Sequence, residues 1–479
     1  MKIVAGVDCS TQSTEVVVVS TDDGQIVGSA EVEHSVEGSG GARETDPGEW
    51  RDGLSEALAR TGMASEIEAI SVAGQQHGLV VCGEADEPIR PAILWNDTRS
   101  AREAEDLIEW LGGATAWAER VGVVPVPSIT VTKWLWLRRN EPEHAAAARS
   151  VSLPHDWLTG QLTGRPSTDR GDASGSGWWS AVTESYDDAI LDSEFVDLSR
   201  DALPVVRGPS EMAGYVTATA SERFGLTQGI PVGPGTGDNM AAALGLGLES
   251  GSPVVSLGTS GTAYVVSEES VQDPSGVVAG FCDASGRWLP LACTLNCTLA
   301  IDRIAALLGL HRDRIAPRTG VTFLPYLDGE RTPNLPLATG TMVGLTHDTQ
   351  PEEVLRGAYE GAAAALLLAL EKIDALGSGI DPEAPITLVG GGAQGEAWRR
   401  VIASLSGRAL RVPAQSNHVA LGAAAQAAGV LLDIPPTTVA SRWGHGQGTD
   451  IPAQARDVAA VERIERVTDR AVPLLTASA

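Results

Sequence analysis

Apolar residues follow two different periods along this chain. Residues 2–7 and 16–20 are short β-branched runs on either side of a turn of small polar residues at 9–14, which is the pattern of a hairpin, and 26–36 extends it as a third strand. Residues 50–60 then repeat with a helical period, and 67–73 form a short apolar strand that ends at Gly74. A run of the same layout begins at Pro253, with strand-like stretches at 254–257 and 263–266 around a turn at 258–262. Beyond it, 276–281 and 287–291 read as strands, 295–308 as a helix, 352–376 as a long Ala/Leu helix and 386–389 as a buried strand. The organisation restarts near residue 246. Duplication of one α/β unit, with its joint between 244 and 251, is the expectation, and chance similarity between two hairpins is the alternative.

Length changes the picture in one respect. A chain of 479 residues exceeds what one hydrophobic core usually spans. Two domains, 1–245 and 246–479, with a cleft between them and a hinge near 244–253, are therefore expected. Charge narrows the partners: 34 Lys and Arg against 62 Asp and Glu leave a net charge of −28, which repels nucleic acid and anionic membrane and favours a small neutral substrate. Phosphates bound by such a chain need backbone amides or a cation to offset that field. The five cysteines, at 9, 82, 282, 293 and 297, are an odd set without secretory context and read as reduced thiols. Cys293 and Cys297 lack two further ligands nearby and read as small buried residues. The apolar stretch before Asp8 is too short for a signal peptide, and 361–370 is short of a membrane span, so a cytoplasmic protein is expected.

Chemistry concentrates at glycine-punctuated turns. Gly235-Thr236-Gly237-Asp238-Asn239 delivers a carboxylate and an amide to the start of a small-residue helix at 240–248, where unpaired N–H groups and positive dipole favour an anion. Asp238 reads either as a proton acceptor or as a helix N-cap. Asp8, at a strand end before Cys9-Ser10-Thr11-Gln12-Ser13, is placed to hold a hard divalent cation beside a phosphate edge, or to be an ordinary turn residue. Gly258-Thr259-Ser260-Gly261-Thr262 offers a second such turn. Gly390-Gly391-Gly392-Ala393, between the strand at 386–389 and a helix at 397–405, suits a nucleotide lying against bare backbone. Gln75-Gln76-His77-Gly78 puts amides and an imidazole at the carboxyl end of a strand, where α/β folds bind ligands, though a lone His is often structural. Trp95-Asn96-Asp97 adds an aromatic face to polar groups, a composition of polyol pockets. Trp178-Trp179 reads as a second such face or as core, and residues 168–175 as a solvated polar connection.

Taken in order, these blocks resemble the FGGY carbohydrate kinases, and the resemblance runs nearly end to end. It includes Leu153-Pro154-His155-Asp156-Trp157-Leu158-Thr159-Gly160 and, with particular specificity, Phe323-Leu324-Pro325-Tyr326-Leu327-Asp328-Gly329-Glu330-Arg331-Thr332-Pro333. It implies an α/β fold of two actin-like ATPase (ribonuclease H-like) domains, the first on the sugar side and the second on the nucleotide side. The implied reaction is ATP-dependent phosphorylation of a ketopentose, D-xylulose to D-xylulose 5-phosphate, with ATP and Mg2+. Asp238 is the implied general base, and Gln76, His77, Trp95, Asp238 and Asn239 the implied sugar contacts. Thr11, Gln12 and Thr259 would meet phosphate oxygens, Gly391, Gly392 and Glu396 would sit by the nucleoside, and Asp8 would lie at the metal.

The pattern departs from many relatives at Ser10, Glu15, Gln76 and His155, where Gly, Lys or Arg, Met and Lys are common; this leaves the reaction class intact and the sugar open. Ribulose, gluconate, glycerol or an alditol is the alternative acceptor, and a non-catalytic actin-like ATP switch the alternative class. The oligomeric state is open, a homodimer among the options, and 435–479 carries no functional signal.

Overall fold

The structure is a computed structural model describing residues 2–335 and 337–475; the last four residues of the 435–479 stretch lie outside the described residues. Strands β1 (Ile3–Cys9), β2 (Ser13–Ser20) and β3 (Ile26–Glu33) form an antiparallel meander, as the β-branched runs require. Helix α1 (Pro47–Thr61) follows, started by Asp46, whose side chain accepts from Gly48 N–H, and by Pro47 in the first turn, and ended by Gly62 at φ 69°. Strand β4 (Ala69–Gly74) returns parallel to β1. Helix α2 (Pro154–Thr163) precedes the short strands β5 (Gly214–Tyr215) and β6 (Pro231–Val232), and helix α3 (Asp238–Gly245) closes this half.

The second half contains β7 (Pro253–Leu257), β8 (Gly261–Val265), β9 (Trp288–Thr294), α4 (Pro351–Ala375), β10 (Ile386–Val389), α5 (Glu396–Ser406), β11 (Leu410–Pro413), α6 (His418–Leu432), β12 (Gly448–Ile451) and α7 (Val458–Leu475). One seven-stranded sheet includes the path β5-β6-β4-β1-β2-β3, with Thr236–Gly237 also on β4, and the other includes the path β12-β11-β10-β7-β8-β9, with Ala279–Cys282 beyond β9. Along each path, a three-stranded antiparallel meander continues into two parallel strands and ends on an antiparallel strand. The repeated order of connections is what duplication of one α/β unit produces.

The chain packs into two compact units: the first holds the chain up to Leu248 with Gln272–Leu289 and Asn417–Gly446, and the second holds Glu249–Val271, Pro290–Ser416 and Gln447–Ala479. The strand expected at 276–281 is Ala279–Cys282 and belongs to the first unit. The helix expected from 295 starts at Thr298, whose backbone N–H and Oγ1 both donate to the Gly258 carbonyl (3.1 and 2.7 Å). Helix α6, apolar on all sides, packs in the first unit against α3 and β1. A Cβ on Gly6 would fall 1.8 Å from the Ala420 carbonyl oxygen, and one on Gly422 would fall 1.9 Å from that of Ala241. Backbone approach at this distance is open only to glycine. Trp178 and Trp179 are buried and serve the core. Among the described residues no helix is long and apolar enough to cross a membrane.

Candidate active site

Three parallel segments of the first unit bring the candidate residues to one edge of the sheet. Asp8 on β1 is in register with Ala73 on β4, and Ala73 is in register with Thr236 of the short strand Thr236–Gly237. The residues that follow, Gln75, Gln76 and His77 after β4 and Asp238 and Asn239 after Gly237, therefore leave the sheet at its carboxyl edge, where parallel α/β sheets hold ligands. Gly237 occupies the N-cap of α3 without a side-chain bond and Asp238 is the first residue of the helix, so the reading of Asp238 as cap is not what the chain does. Glycine is needed at that cap because a Cβ there would come within 2.6 Å of Gln76 Cγ.

Asp238 Oδ1 accepts from the backbone N–H of Asn239 and from its Nδ2, both at 2.7 Å, and the same amide donates to Gln76 Oε1 at 2.7 Å. Burial pushes the Asp238 carboxyl up to about 7, the nearby Asp172 adds to the rise, and the Asn239 donors oppose it. The residue nevertheless keeps partial exposure, as do Asn239, Thr11 and Trp95. Gln76 Nε2 and His77 Nε2 are 3.4 Å apart, and His77 Nδ1 lies 3.3 Å from Asp172 Oδ1. The His77 ring stacks obliquely against Phe281, centroids 4.9 Å apart, and has φ 66°; a Cβ on Gly175 would strike it at 1.7 Å. The Trp95 indole N–H donates to Thr11 Oγ1 at 3.0 Å, which ties the aromatic block to the β1–β2 turn, while Gln12 is exposed on that turn.

Asp8 carries a buried Oδ1 with no hydrogen-bond partner. Burial and then Asp238, Glu15 and Glu31 hold its carboxyl well above the ordinary carboxylate range. Glu15 is opposite Asp8 in the β1–β2 register and Glu31 is opposite Glu15 in the next pair, so the three carboxylates share one row of the sheet. Glu15 thus turns to the same face as Asp8, where it accepts from Asn417 Nδ2. An unpartnered carboxylate oxygen in a row of like charges fits a cation. Among the described residues no group of three or more His, Cys, Asp or Glu converges on a metal position, so a cation held by Asp8 would draw the rest of its shell from water and phosphate.

The remaining candidates lie in the second unit. Thr259 is exposed on the β7–β8 turn, next to Gly258, which Thr298 fastens. Gly390 (φ 83°) and Gly392 pack on Leu257 at the end of β7, each leaving under 3.0 Å for an added Cβ, whereas a Cβ on Gly391 would meet open space. Gly391–Gln394 form one helical turn before α5, and Glu396 at its start is exposed and paired with Arg400. The Phe323–Pro333 block is a clamp: Glu330, its carboxyl raised by burial, accepts from Leu295 N–H (2.6 Å), Arg331 N–H (2.7 Å) and Asn296 Nδ2 (3.0 Å) just ahead of the helix that carries Thr298.

The comparison with known proteins decides the family. Residues 3–245 match the N-terminal domain, and 254–430 the C-terminal domain, of the FGGY family of carbohydrate kinases. The chain belongs to this family. As an FGGY kinase it uses ATP, and its two units have the actin-like fold. It is 54% identical to a xylulose kinase of Streptomyces coelicolor and 53% identical to one of Streptomyces rubiginosus, in each case over 99% of this chain and 97% of the relative. It is also similar to the crystal structure of xylulose kinase from Bifidobacterium adolescentis, at 35% identity and a TM-score of 0.85, covering 98% of this chain and 99% of that one.

Some of this FGGY kinase's site was not read from its sequence. Residues 168–175, taken as a solvated connection, are buried: Asp169 caps the helix Arg170–Ala173 and accepts from Thr236 Oγ1 (2.7 Å), and Asp172 faces His77. Gln426 on α6 donates to the Gly235 carbonyl and accepts from Ser71 Oγ, both at 3.0 Å, and so holds the turn before Asp238. The density of Asp and Ser in 168–175 was the available signal; Gln426 had only its being a polar side chain in the middle of an otherwise apolar stretch of helix.

Proposed function

We propose that this kinase transfers the γ-phosphoryl group of ATP to the 5-hydroxyl of D-xylulose, with Asp238 as the general base. The observation that carries the reading is the Asp238 carboxyl itself. It is partly exposed, pushed up to about 7, and held by two donors on one oxygen, which suits a group that takes a hydroxyl proton near neutral pH. Gln76, His77 and Asn239 supply donors and acceptors for sugar hydroxyls, and Trp95 an apolar face. Two relatives named xylulose kinase, more than half identical along nearly all of this chain, support the choice of ketose.

Phosphoryl transfer asks for alignment and charge stabilisation rather than covalent work by the protein. Thr11, Gln12 and Thr259 are assigned to phosphate oxygens, and Gly391, Gly392 and Glu396 to the nucleoside, where the bare Gly391 backbone leaves room for it. Asp8 is assigned to Mg2+, whose chemistry when bound is to neutralise charge on the phosphates. The five cysteines, none of them in a disulfide, and the strongly acidic composition fit a cytoplasmic enzyme. A panel of D-xylulose, ribulose, gluconate, glycerol and an alditol, read by coupled ADP formation, tests the assignment. Highest kcat/KM with D-xylulose is expected; preference for another acceptor overturns the sugar, and no sugar-dependent ADP formation overturns the reaction.

A further inference from the structure

We propose that His155 is a cationic positioning residue, wedged against the two turns that present His77 and Asp238 and holding both in line through the carboxylates that surround it. The inference deepens the acceptor-site reading and rests on it.

His155 on α2 has no exposed surface. It touches both turns directly. A Cβ on Gly74, three residues before His77, would lie 3.1 Å from His155 Cβ, and one on Gly235, three residues before Asp238, would lie 2.7 Å from His155 Nδ1. Its Nε2 faces three carboxylates: Asp156 Oδ1 at 3.1 Å, Asp172 Oδ2 at 3.4 Å and Asp169 Oδ1 at 3.5 Å. Two of these reach the site. Asp172 meets His77 Nδ1 with its other oxygen, and Asp169 accepts from Thr236, two residues before Asp238. The third, Asp156, accepts the Leu153 N–H and starts α2.

Burial opposes charge on the imidazole, but the Asp156, Asp172 and Asp169 carboxylates outweigh it and push His155 up to about 9, so it is protonated at neutral pH. Asp172 also faces Asp238, whose carboxyl it raises. Arg170, on the same short helix as Asp172, is engaged by Glu184 and the Arg287 carbonyl, and Tyr186 stays neutral near Asp156. Three buried carboxylates around one point cannot all stay ionised without a counter-charge. Burial already pushes the Asp156 and Asp172 carboxyls up to about 7 with His155 as the opposing charge, so loss of the imidazolium drives protonation of this pair, Asp172 included. An ionised Asp172 selects the His77 tautomer with its proton on Nδ1 and an acceptor at Nε2 beside Gln76; a protonated Asp172 donates to Nδ1 and selects the reverse.

The test compares His155→Gln, neutral, with His155→Lys, charged, in the full chain. Readouts are KM and kcat for D-xylulose, KM for ATP, thermal midpoint, and 15N imidazole shifts of His77 without nucleotide. His155→Gln should raise sugar KM and lower kcat by about tenfold or more each, as small misplacements of reacting groups do. It should also leave ATP KM within about twofold and reverse the His77 tautomer, while His155→Lys should restore both toward the native values. A lower midpoint with unchanged kinetics and tautomer overturns the proposal, as does a folded His155→Lys no better than His155→Gln. If His155→Gln does not fold, Asp172→Asn replaces it: the same rise in sugar KM and tautomer reversal support the link, and native values sink it. Failure of the acceptor-site reading would show separately, as sugar phosphorylation surviving in Asp238→Ala, because the His77 shifts report on His155 without any turnover.

Discussion

Asp238→Asn removes a charge while keeping the volume and the oxygen that accepts from Asn239, so its effect isolates what it costs the fold to ionise this carboxyl. The folded group is pushed from 3.8 up to about 7, chiefly by burial. At 1.36 kcal/mol per unit that corresponds to roughly 4 kcal/mol when Asp238 is ionised in both states, trimmed to about 2–4 kcal/mol by the residue's partial exposure. The sign follows from proton binding. Between pH 4 and 7 the folded state holds the proton more tightly than the unfolded one, so this group's contribution falls as pH rises through that window and levels off above about 7. Asp238→Asn should therefore be more stable than the wild type, by an increment that grows by about 2 kcal/mol from pH 5 to pH 8. Calorimetric midpoints of both proteins at pH 5, 6.5 and 8 read it, together with its coupling to Asp8 and Asp172; comparison of variant with wild type cancels the acidic groups of this −28 chain that do not face Asp238. An increment that is absent, or that shrinks as pH rises, refutes the account of the carboxyl.

As the proposed base, the same group should set the rate. Turnover with D-xylulose should fall below about pH 7 as Asp238 takes up its proton, and a pH–rate profile flat from 5.5 to 8 contradicts this. Gly422→Ala places a methyl 1.9 Å from the Ala241 carbonyl oxygen and should destabilise by about 2–3 kcal/mol as α3 and α6 are forced apart, seen as a lowered thermal midpoint; an unchanged midpoint rules out the close packing. Thr298→Val deletes the 2.7 Å bond to Gly258 that steadies the β7–β8 turn, worth about 1 kcal/mol. It should raise KM for ATP by about fivefold without altering sugar KM, and an unchanged ATP KM excludes the turn from nucleotide binding.

Local rules explain which parts of the chain were legible before its structure. The meanders were plain because Val16–Val19 and Val254–Val255 are β-branched runs beside polar turns, and β10 was found at its own limits because Ile386–Val389 is an apolar run stopped by three glycines. Asp238 stood out because Gly235 and Gly237 bracket it. Helix α6 was invisible because period-based reading needs a polar face, and this helix, packed on α3, β1 and β4, has none: after His418 at its start, Gln426 is its one polar side chain. The burial of Asp169 and Asp172 was equally hidden: a polar stretch reads as solvated unless its counter-charge is known, and His155 comes from a separate helix. Gln426 reaches Gly235 across 191 residues of sequence, a separation that no local pattern encodes.

Sugar-dependent ADP formation by Asp238→Ala, measured beside its nucleotide affinity, bears most directly on the proposed chemistry. Loss of a positioned base predicts a fall of about 10²–10⁴-fold in kcat with D-xylulose while ATP binding stays near the wild-type value. Turnover at the wild-type rate in a variant that binds ATP normally would show that another group removes the hydroxyl proton.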